Sequence, residues 1–516
     1  MVWQPEIDEL KHRMKLAAQM GGKEGIERQH SQGKLTVRER IDLLADPGST
    51  EEIGGLAGSA TYENDQLKDF KPANTVIGTL NLNGRKVVFN GGDFTVRGGA
   101  ADAAIGNKTG HAERMAIEWR LPYVRLLDAT GGSVRTFEQI GRTYIPGRAD
   151  SAMAGQLLCT VPVVSAVLGS VAGLPAIQAC LAHFNLMVKD TTQVFVAGPP
   201  VVKAALGYTI PKEDLGDDNL AAYTGVIDNV AGSEEEAFGM IRRFLSYMPQ
   251  NVWELPQRAE PADDPNRRDE ELLSIIPRSK QRLYNPYKIL THVLDRDSFF
   301  EIAPFYGKSR VTGLARLNGY PVGVMINNPA HLGGSMDLSA GDKVYRFLQL
   351  CNTFHLPMVY FADEPGFMVG LESEKQGILR AGARVLTTTS DTRVPWISVI
   401  IRQLYGVAGG LHFRPGGMFK RYAWPSAHWG SMHIQGGAMA AYRREIENAP
   451  DPEAKREEIE RRLQAIASPF RTAEAFDIDD IIDPRDTRPL LCSFIEAARD
   501  ILKTQLGPSD GPSYRP

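Results

Sequence analysis

Cysteine is scarce: only Cys159, Cys180, Cys351 and Cys492 occur among 516 residues. They lie far apart, without CxxC spacing and mostly inside apolar runs, which excludes a disulfide framework and a thiolate zinc site and points to reduced core thiols. No run of about 18 apolar residues is present, so no membrane-spanning helix is expected. The opening Met-Val-Trp-Gln-Pro-Glu-Ile-Asp-Glu-Leu-Lys carries charge where a secretory leader needs an apolar stretch, and the expected location is cytoplasmic. An excess of one charge is missing as well. With 58 Lys plus Arg against 62 Asp plus Glu the net charge is −4, which leaves no broad basic face for nucleic acid or an anionic membrane. Common catalytic signatures are also absent. None of the ten histidines, among them His111, His183, His331, His355, His412, His428 and His433, lies in HExxH or another ligand spacing, so they read as core or surface groups. Gly169-Ser170-Val171-Ala172-Gly173 lacks the spacing of a nucleophile elbow, and no GxxxxGK[ST] or strand-linked GxGxxG occurs.

What is present is an ordinary globular composition, 43% hydrophobic and 23% charged, with 50 glycines and 32 prolines that imply many tight turns. The length suggests two or three domains, and the chain repeats itself. Asn83-Gly84-Arg85-Lys86-Val87-Val88 recurs as Asn318-Gly319-Tyr320-Pro321-Val322-Gly323, and Gly98-Gly99 as Gly333-Gly334, both 235 residues on. Pro122-Tyr123-Val124-Arg125-Leu126-Leu127-Asp128 matches Pro357-Met358-Val359-Tyr360-Phe361-Ala362-Asp363 at the same offset. Val161-Pro162-Val163 matches Val394-Pro395-Trp396 at 233, and Ala172-Gly173 matches Ala408-Gly409 at 236. Ordered blocks at a nearly constant offset indicate a duplicated domain. Residues 1–255 and 271–516 are the expected domains. Residues 256–270, rich in proline and charge, are the expected solvated linker.

Within each half, buried Val/Ile/Leu strands alternate with helical stretches, such as residues 112–120 and 344–354, which predicts an α/β fold. Residues 451–466 read as a solvated helix, with Glu457 and Glu458 four before Arg461 and Arg462. Each half carries two strand–turn–helix junctions containing glycine. They are Asp128-Ala129-Thr130-Gly131-Gly132-Ser133 and Gly169-Ser170-Val171-Ala172-Gly173-Leu174, then Asp363-Glu364-Pro365-Gly366-Phe367 and Tyr405-Gly406-Val407-Ala408-Gly409-Gly410. Such turns leave backbone N–H groups without partners beside a helix start, where they suit an oxyanion. A plain αβ turn explains each one alone; four at duplicated positions make that account weaker. Asp128 and Asp363 read as turn or helix caps, with paired acid/base carboxylates as the alternative.

Several blocks resemble the carboxyltransferase subunit of biotin-dependent acyl-CoA carboxylases, the β type typified by propionyl-CoA carboxylase. They include Gln32-Gly33-Lys34-Leu35-Thr36-Val37-Arg38-Glu39-Arg40-Ile41, Asp93-Phe94-Thr95-Val96-Arg97-Gly98-Gly99 and Met187-Val188-Lys189-Asp190-Thr191-Thr192. Gly198-Pro199-Pro200, Asp363-Glu364-Pro365-Gly366-Phe367, Gly377-Ile378-Leu379-Arg380, Tyr422-Ala423-Trp424-Pro425 and Asp477-Ile478-Asp479-Asp480 continue the order. The resemblance implies two tandem crotonase-like domains. It also implies transfer of a carboxyl group from carboxybiotin to the α-carbon of an acyl-CoA through a thioester enolate. Main-chain donors at Gly131, Gly132, Ala172, Gly173 and Leu174 would hold the thioester, and those at Gly366, Phe367, Val407 and Ala408 the biotin. Gly98, Gly99, Gly333, Gly334, Tyr405, Gly406 and Gly410 are the implied ligand contacts. No biotinylation site or ATP-binding half is visible, so biotin is expected on a separate carrier, with a biotin carboxylase partner and no metal in this subunit. A homo-oligomer is implied, with a dimer as the minimal unit and a hexamer as the assembly.

The chain departs from the family pattern at four places. Gly173-Leu174-Pro175 and Tyr405-Gly406-Val407-Ala408 stand where consecutive glycines are usual, the 128–133 turn differs, and Gly410 is small. A small Gly410 implies a longer, branched or aromatic acyl group. The alternatives are a carboxyltransferase subunit of a biotin-dependent acyl-CoA decarboxylase and a non-catalytic CoA-binding scaffold of the same fold.

Overall fold

The computed structural model describes residues 2–145, 153–261, 263–279, 282–413, 416–509, 514 and 516. They form two units, Met1–Glu254 with Pro516, and Leu255–Arg515. Residue 262 of the expected linker lies outside the described residues.

The first unit is built on a seven-stranded sheet. Its elements are β1 (Glu51–Ile53), β2 (Thr75–Leu82), β3 (Arg85–Gly92), β4 (Tyr123–Leu127), β5 (Val163–Val167), β6 (Ser170–Ala172), β7 (Phe184–Val188), β8 (Gln193–Phe195) and β9 (Asn229–Ala231). The sheet order is β1-β2-β3-β4-β5-β7-β9, while β6 and β8 pair separately in parallel. Every residue of β4, β5 and β7 is buried. That is why these strands read as continuous apolar runs: a parallel strand covered on both faces has no solvent side to alternate toward. Its helices include α1 (Val37–Leu44), α2 (Lys108–Trp119), α3 (Leu174–Cys180) and α4 (Glu234–Tyr247).

The second unit repeats the plan with β10 (Phe300–Ile302), β11 (Arg310–Leu317), β12 (Tyr320–Asn327), β13 (Met358–Glu364), β14 (Trp396–Tyr405), β15 (Phe419–Ala423), β16 (His428–Gly430) and β17 (Asp480–Ile481). The order is β10-β11-β12-β13-β14-β15-β17, with β16 also on β14. Its helices include α5 (Pro286–Val293), α6 (Leu338–Thr353), α7 (Ile378–Asp391), α8 (Gly406–Gly410), α9 (Ile434–Ala441), α10 (Pro452–Ile466) and α11 (Thr487–Lys503). Ile289 and Val293 of α5 and Leu491 and Ile495 of α11 pack on Val324, Val359, Ile397 and Val399 of the sheet.

The duplication extends to single hydrogen bonds. The duplicated antiparallel hairpins β2–β3 and β11–β12 each turn on an Asn-Gly pair with positive φ at each residue, 52° and 78° at Asn83-Gly84 and 50° and 78° at Asn318-Gly319, the tight turn that matches strand twist. An aspartate caps each one. Asp46 accepts from Asn83 and Gly84 at 2.9 and 2.7 Å, Asp295 from Asn318 and Gly319 at 3.0 and 2.7 Å. Val88 pairs with Tyr123 and Gly323 with Met358, so the strand register is also repeated at 235 residues.

Two local expectations differ from what is found. Parts of the stretch 256–270 are tied down: Ala259 N–H donates to Gly319 O at 3.0 Å, and Arg267 pairs with Asp263 and Asp269 at 3.0 and 2.6 Å. Helix α10 forms, but Lys455 takes Glu458 and reaches Glu445, so the expected pairing of Glu458 with Arg462 gives way to a bridge between helices. Its Ile459 is buried with Ala438 and Ile446, so one face is packed rather than solvated.

Candidate active site

Each unit places a glycine turn at the carboxyl end of its central parallel strand, held from behind by a buried ionic cluster. In the first unit Asp128 ends β4 with its carboxylate fully buried. It accepts from Gln29 Nε2 at 2.9 Å, Arg40 Nη1 at 3.0 Å and Lys34 Nζ at 3.4 Å. Arg40 of α1 also pairs with Glu234 of α4 at 2.8 and 2.9 Å. Burial pushes the Lys34 ammonium below its ordinary pKa, against the pull of Asp128, and the ammonium sits 4.5 Å from the Phe94 ring centroid. Asp128 is therefore an anchor for the turn, neither a helix cap nor an acid/base group. Asp363 plays the same part in the second unit. It accepts from Arg402 Nε at 3.1 Å, Tyr284 Oη at 2.8 Å and Gln403 N at 3.1 Å.

The direction of each turn's peptides follows from their bonds. Gly131 O accepts Ala101 N–H at 2.8 Å, and in a trans peptide the N–H of the next residue points the opposite way. The Gly132 N–H is therefore aimed outward, and among the described residues it has no acceptor. Gly131 holds φ at 77°, and a Cβ there would lie 2.6 Å from Ala172 O, so only glycine fits. In the second unit Gly366 O accepts Met336 N–H at 3.0 Å. The Phe367 N–H is thus the outward donor, 235 residues beyond Gly132, again without an acceptor among the described residues.

The remaining expected donors divide. Ala172 N–H donates to Ala129 O at 3.2 Å and Gly173 N–H to Val196 O at 3.1 Å, while Gly366 N–H goes to Glu364 Oε1 at 3.2 Å. These three are occupied inside the fold, because they stitch the turns to the platform beneath. The free donor beyond Gly173 belongs to Leu174, the first residue of α3, whose N–H lies outside the helical ladder. Val407 and Ala408 stand in the same situation at the start of α8. Gly173 and Gly406 share positive φ, 65° and 64°, and each is followed by an exposed apolar residue, Leu174 at 62% and Val407 at 69%. Those two side chains therefore flank the open donors.

The other expected contact residues have mixed roles. Gly99 and Gly334 pack beneath the turns; a Cβ would lie 2.8 Å from Ala129 Cα at Gly99 and 3.3 Å from Asp363 O at Gly334. Gly98 O accepts the Thr130 N–H at 3.2 Å, bracing the first turn, and a Cβ on Gly333 would meet nothing within 4 Å. The Tyr405 ring is buried between two imidazoles, with centroids 5.8 Å from His428 and 4.0 Å from His433. A Cβ on Gly410 would meet nothing within 4 Å.

Arg40, Glu234, Arg402, Glu364 and His433 carry no local sequence signal of these roles. Gln29, Lys34 and Arg40 converge on one carboxylate only in three dimensions, although two of them lie in the Gln32-to-Ile41 block. Glu364 is fully buried against Arg310, and burial raises its pKa above the usual carboxylate value. His183 and His412 are core groups, their pKa pushed by burial to about 3 and about 4. Among the described residues no three His, Cys, Asp or Glu gather to hold a metal ion, and no helix is long and apolar enough to cross a membrane.

The carboxyl transferase domain model matches residues 28–505. The chain belongs to the carboxyl transferase family. It is 34% identical to the carboxyltransferase subunit of propionyl-CoA carboxylase from Haloferax mediterranei, covering 98% of both chains. It is 33% identical to the methylmalonyl-CoA carboxyltransferase 12S subunit of Propionibacterium freudenreichii subsp. shermanii, covering 95% of this chain and 93% of that one. The solved hexameric transcarboxylase 12S with methylmalonyl-CoA and methylmalonic acid bound superposes with a TM-score of 0.88 at 29% identity, covering 99% and 98% of the two chains. The resemblance drawn from the motifs is confirmed, and with it the fold class of two tandem crotonase-like α/β domains.

Proposed function

We propose that this chain is the carboxyltransferase subunit of a biotin-dependent acyl-CoA carboxylase, and that its chemistry rests on the outward N–H groups of Gly132 and Phe367. The observation that carries this reading is their equivalence: one free, aimed donor in each half of a duplicated fold. Gly132 and Leu174 hold the thioester oxygen of the acyl-CoA as its α-proton leaves and an enolate forms. Each aligned donor contributes ~3–4 kcal/mol where negative charge develops in a water-poor site. Phe367, with Val407 and Ala408, holds the ureido oxygen of biotin, and this donor set fits a neutral oxygen that gains charge. Biotin, brought on a separate carrier protein, supplies the carboxyl group and the base. The residues of the chain therefore need not include a side-chain base, which accords with core histidines and anchored aspartates.

The open space at Gly410 supports an acyl group larger than propionyl. The 12S hexamer supports a homo-oligomer. In this reading a dimer is the minimal active unit, and a biotin carboxylase and a carrier protein are the partners. A second reading has its own support: the methylmalonyl-CoA decarboxylase α subunit of Veillonella parvula is 31% identical over 94% of both chains, and the same donors serve the reverse direction. Biotin-dependent release of CO₂ from methylmalonyl-CoA by the purified chain tests the core of both readings. Turnover that requires biotin is expected. Binding of methylmalonyl-CoA and of bulkier α-carboxyacyl-CoAs with no turnover of any of them at saturating biotin would replace both with the scaffold.

A further inference from the structure

The Pro365–Gly366 peptide is gripped at both ends by side chains. Its carbonyl accepts the His433 Nε2–H at 2.9 Å, and its N–H donates to Glu364 Oε1 at 3.2 Å. Neither side chain is loose. The His433 ring lies against Tyr405, at the N-cap of α9. Glu364 is fully buried, paired with Arg310 and bonded by Asn327 Nδ2 at 3.3 Å. Asn327 is fixed in turn, its Oδ1 accepting Arg310 Nη1 at 2.7 Å and Asp363 N at 3.0 Å.

The gripped peptide immediately precedes the one that carries the Phe367 N–H. Between them stands Gly366 at φ 132°, a region open to glycine, whose own backbone has little intrinsic preference to hold it. Orientation must then come from outside. On the far side the Gly366 carbonyl accepts the Met336 N–H at 3.0 Å and the Met368 N–H donates back to Met336 O at 2.8 Å, a bridge that ties Phe367 to Met336 but does not touch the Pro365–Gly366 peptide. The side-chain grip supplies the second constraint. It also selects the donor, because Glu364 takes the Gly366 N–H and leaves Phe367 as the outward one.

We propose that His433 and Glu364 are positioning residues that aim the Phe367 N–H, a role that rests on the biotin-side reading above. They do not touch the reacting atoms; they hold a donor in place before charge develops, which is where an oxyanion donor gets its effect.

Four substitutions in the full chain test this. His433→Phe keeps a ring against Tyr405 and removes the donor; His433→Gln restores an amide donor without the ring. Glu364→Gln keeps an acceptor oxygen, and Glu364→Leu removes it. Crystal structures should show the Pro365–Gly366 plane rotated in His433→Phe and Glu364→Leu and retained in His433→Gln and Glu364→Gln. An unchanged plane in both donor- and acceptor-deleted variants overturns the proposal. With methylmalonyl-CoA and free biotin as probes, His433→Phe should lower kcat by about tenfold to a hundredfold, less than the ~10²–10³ of deleting a donor outright. KM for methylmalonyl-CoA should stay within about threefold, since this donor serves biotin, and His433→Gln should recover most of the rate. Equal kcat in His433→Phe and the parent overturns the aiming role. A parent that shows no biotin-dependent turnover defeats the functional reading instead, and the crystal structures still decide whether the grip exists.

Discussion

A Cβ on Gly169 would lie 2.0 Å from Oδ1 of Asp128. The carboxylate that anchors the first glycine turn occupies the space where any other residue would carry a side chain. Gly169→Ala should therefore displace Asp128 from Arg40 and Lys34. Overpacking alone costs about 1–3 kcal/mol, and disturbing a buried ion pair about 3–5 kcal/mol. Urea denaturation should show a loss of at least about 2 kcal/mol; a loss below about 0.5 kcal/mol would mean the anchor is soft.

Gly132 allows its N–H to be tested apart from its shape. A Cβ there meets nothing within 4 Å and its φ lies outside the left-handed region, so Gly132→Ala should leave turnover within about threefold of the parent. Gly132→Pro removes the N–H and should lower kcat by ~10²–10³. Steady-state kinetics on both variants, with circular dichroism to confirm folding, checks the contrast.

Gly410 governs acyl size in this account. Gly410→Leu fills the open space and should cut kcat/KM for bulky acyl-CoAs by at least about 10–200-fold, the range for a single methylene in an apolar pocket, while sparing propionyl-CoA. Competition assays with mixed thioesters give the ratio directly.

The two buried histidines predict an acid limb. His183 and His412 have folded pKa values of about 3 and about 4 against 6.5 unfolded. From these two groups the unfolded chain binds about one more proton than the folded one at pH 6.5 and about two more near pH 5, so their contribution to stability falls as pH drops through that window. Glu364 acts with the opposite sign: its raised pKa favours the folded state at lower pH, and that contribution fades as pH rises. Chemical denaturation from pH 7 to 5 should show a declining midpoint, and His183→Gln should remove about one proton from the slope.

Much of this was legible in the sequence, for identifiable reasons. Asn83-Gly84 and Asn318-Gly319 show the duplication because each sits at the same hairpin turn of its unit, and the buried runs at Tyr123 and Met358 mark covered strands because both faces are packed. Which N–H groups stay open was not legible. Ala172 and Gly173 are spent on Ala129 and Val196, bonds that join segments distant in sequence. The anchors failed for the same reason: nothing near Asp128 in the chain announces Arg40, and nothing near Pro365 announces His433. Residues 451–466 were read from i,i+4 spacing alone, and the neighbour that captured Lys455, Glu445, sits on a separate short helix.

The most direct test of paired oxyanion holes is decarboxylation of a panel of α-carboxyacyl-CoAs in D₂O with saturating free biotin, in which the enolate takes a deuteron from the biotin nitrogen as that nitrogen takes the CO₂, read by mass spectrometry of the acyl-CoA product. α-Deuterated product is expected from one acyl class, dependent on biotin and abolished in Gly132→Pro. Thioester binding at ordinary affinity with no deuterated product from any member of the panel would contradict the paired holes.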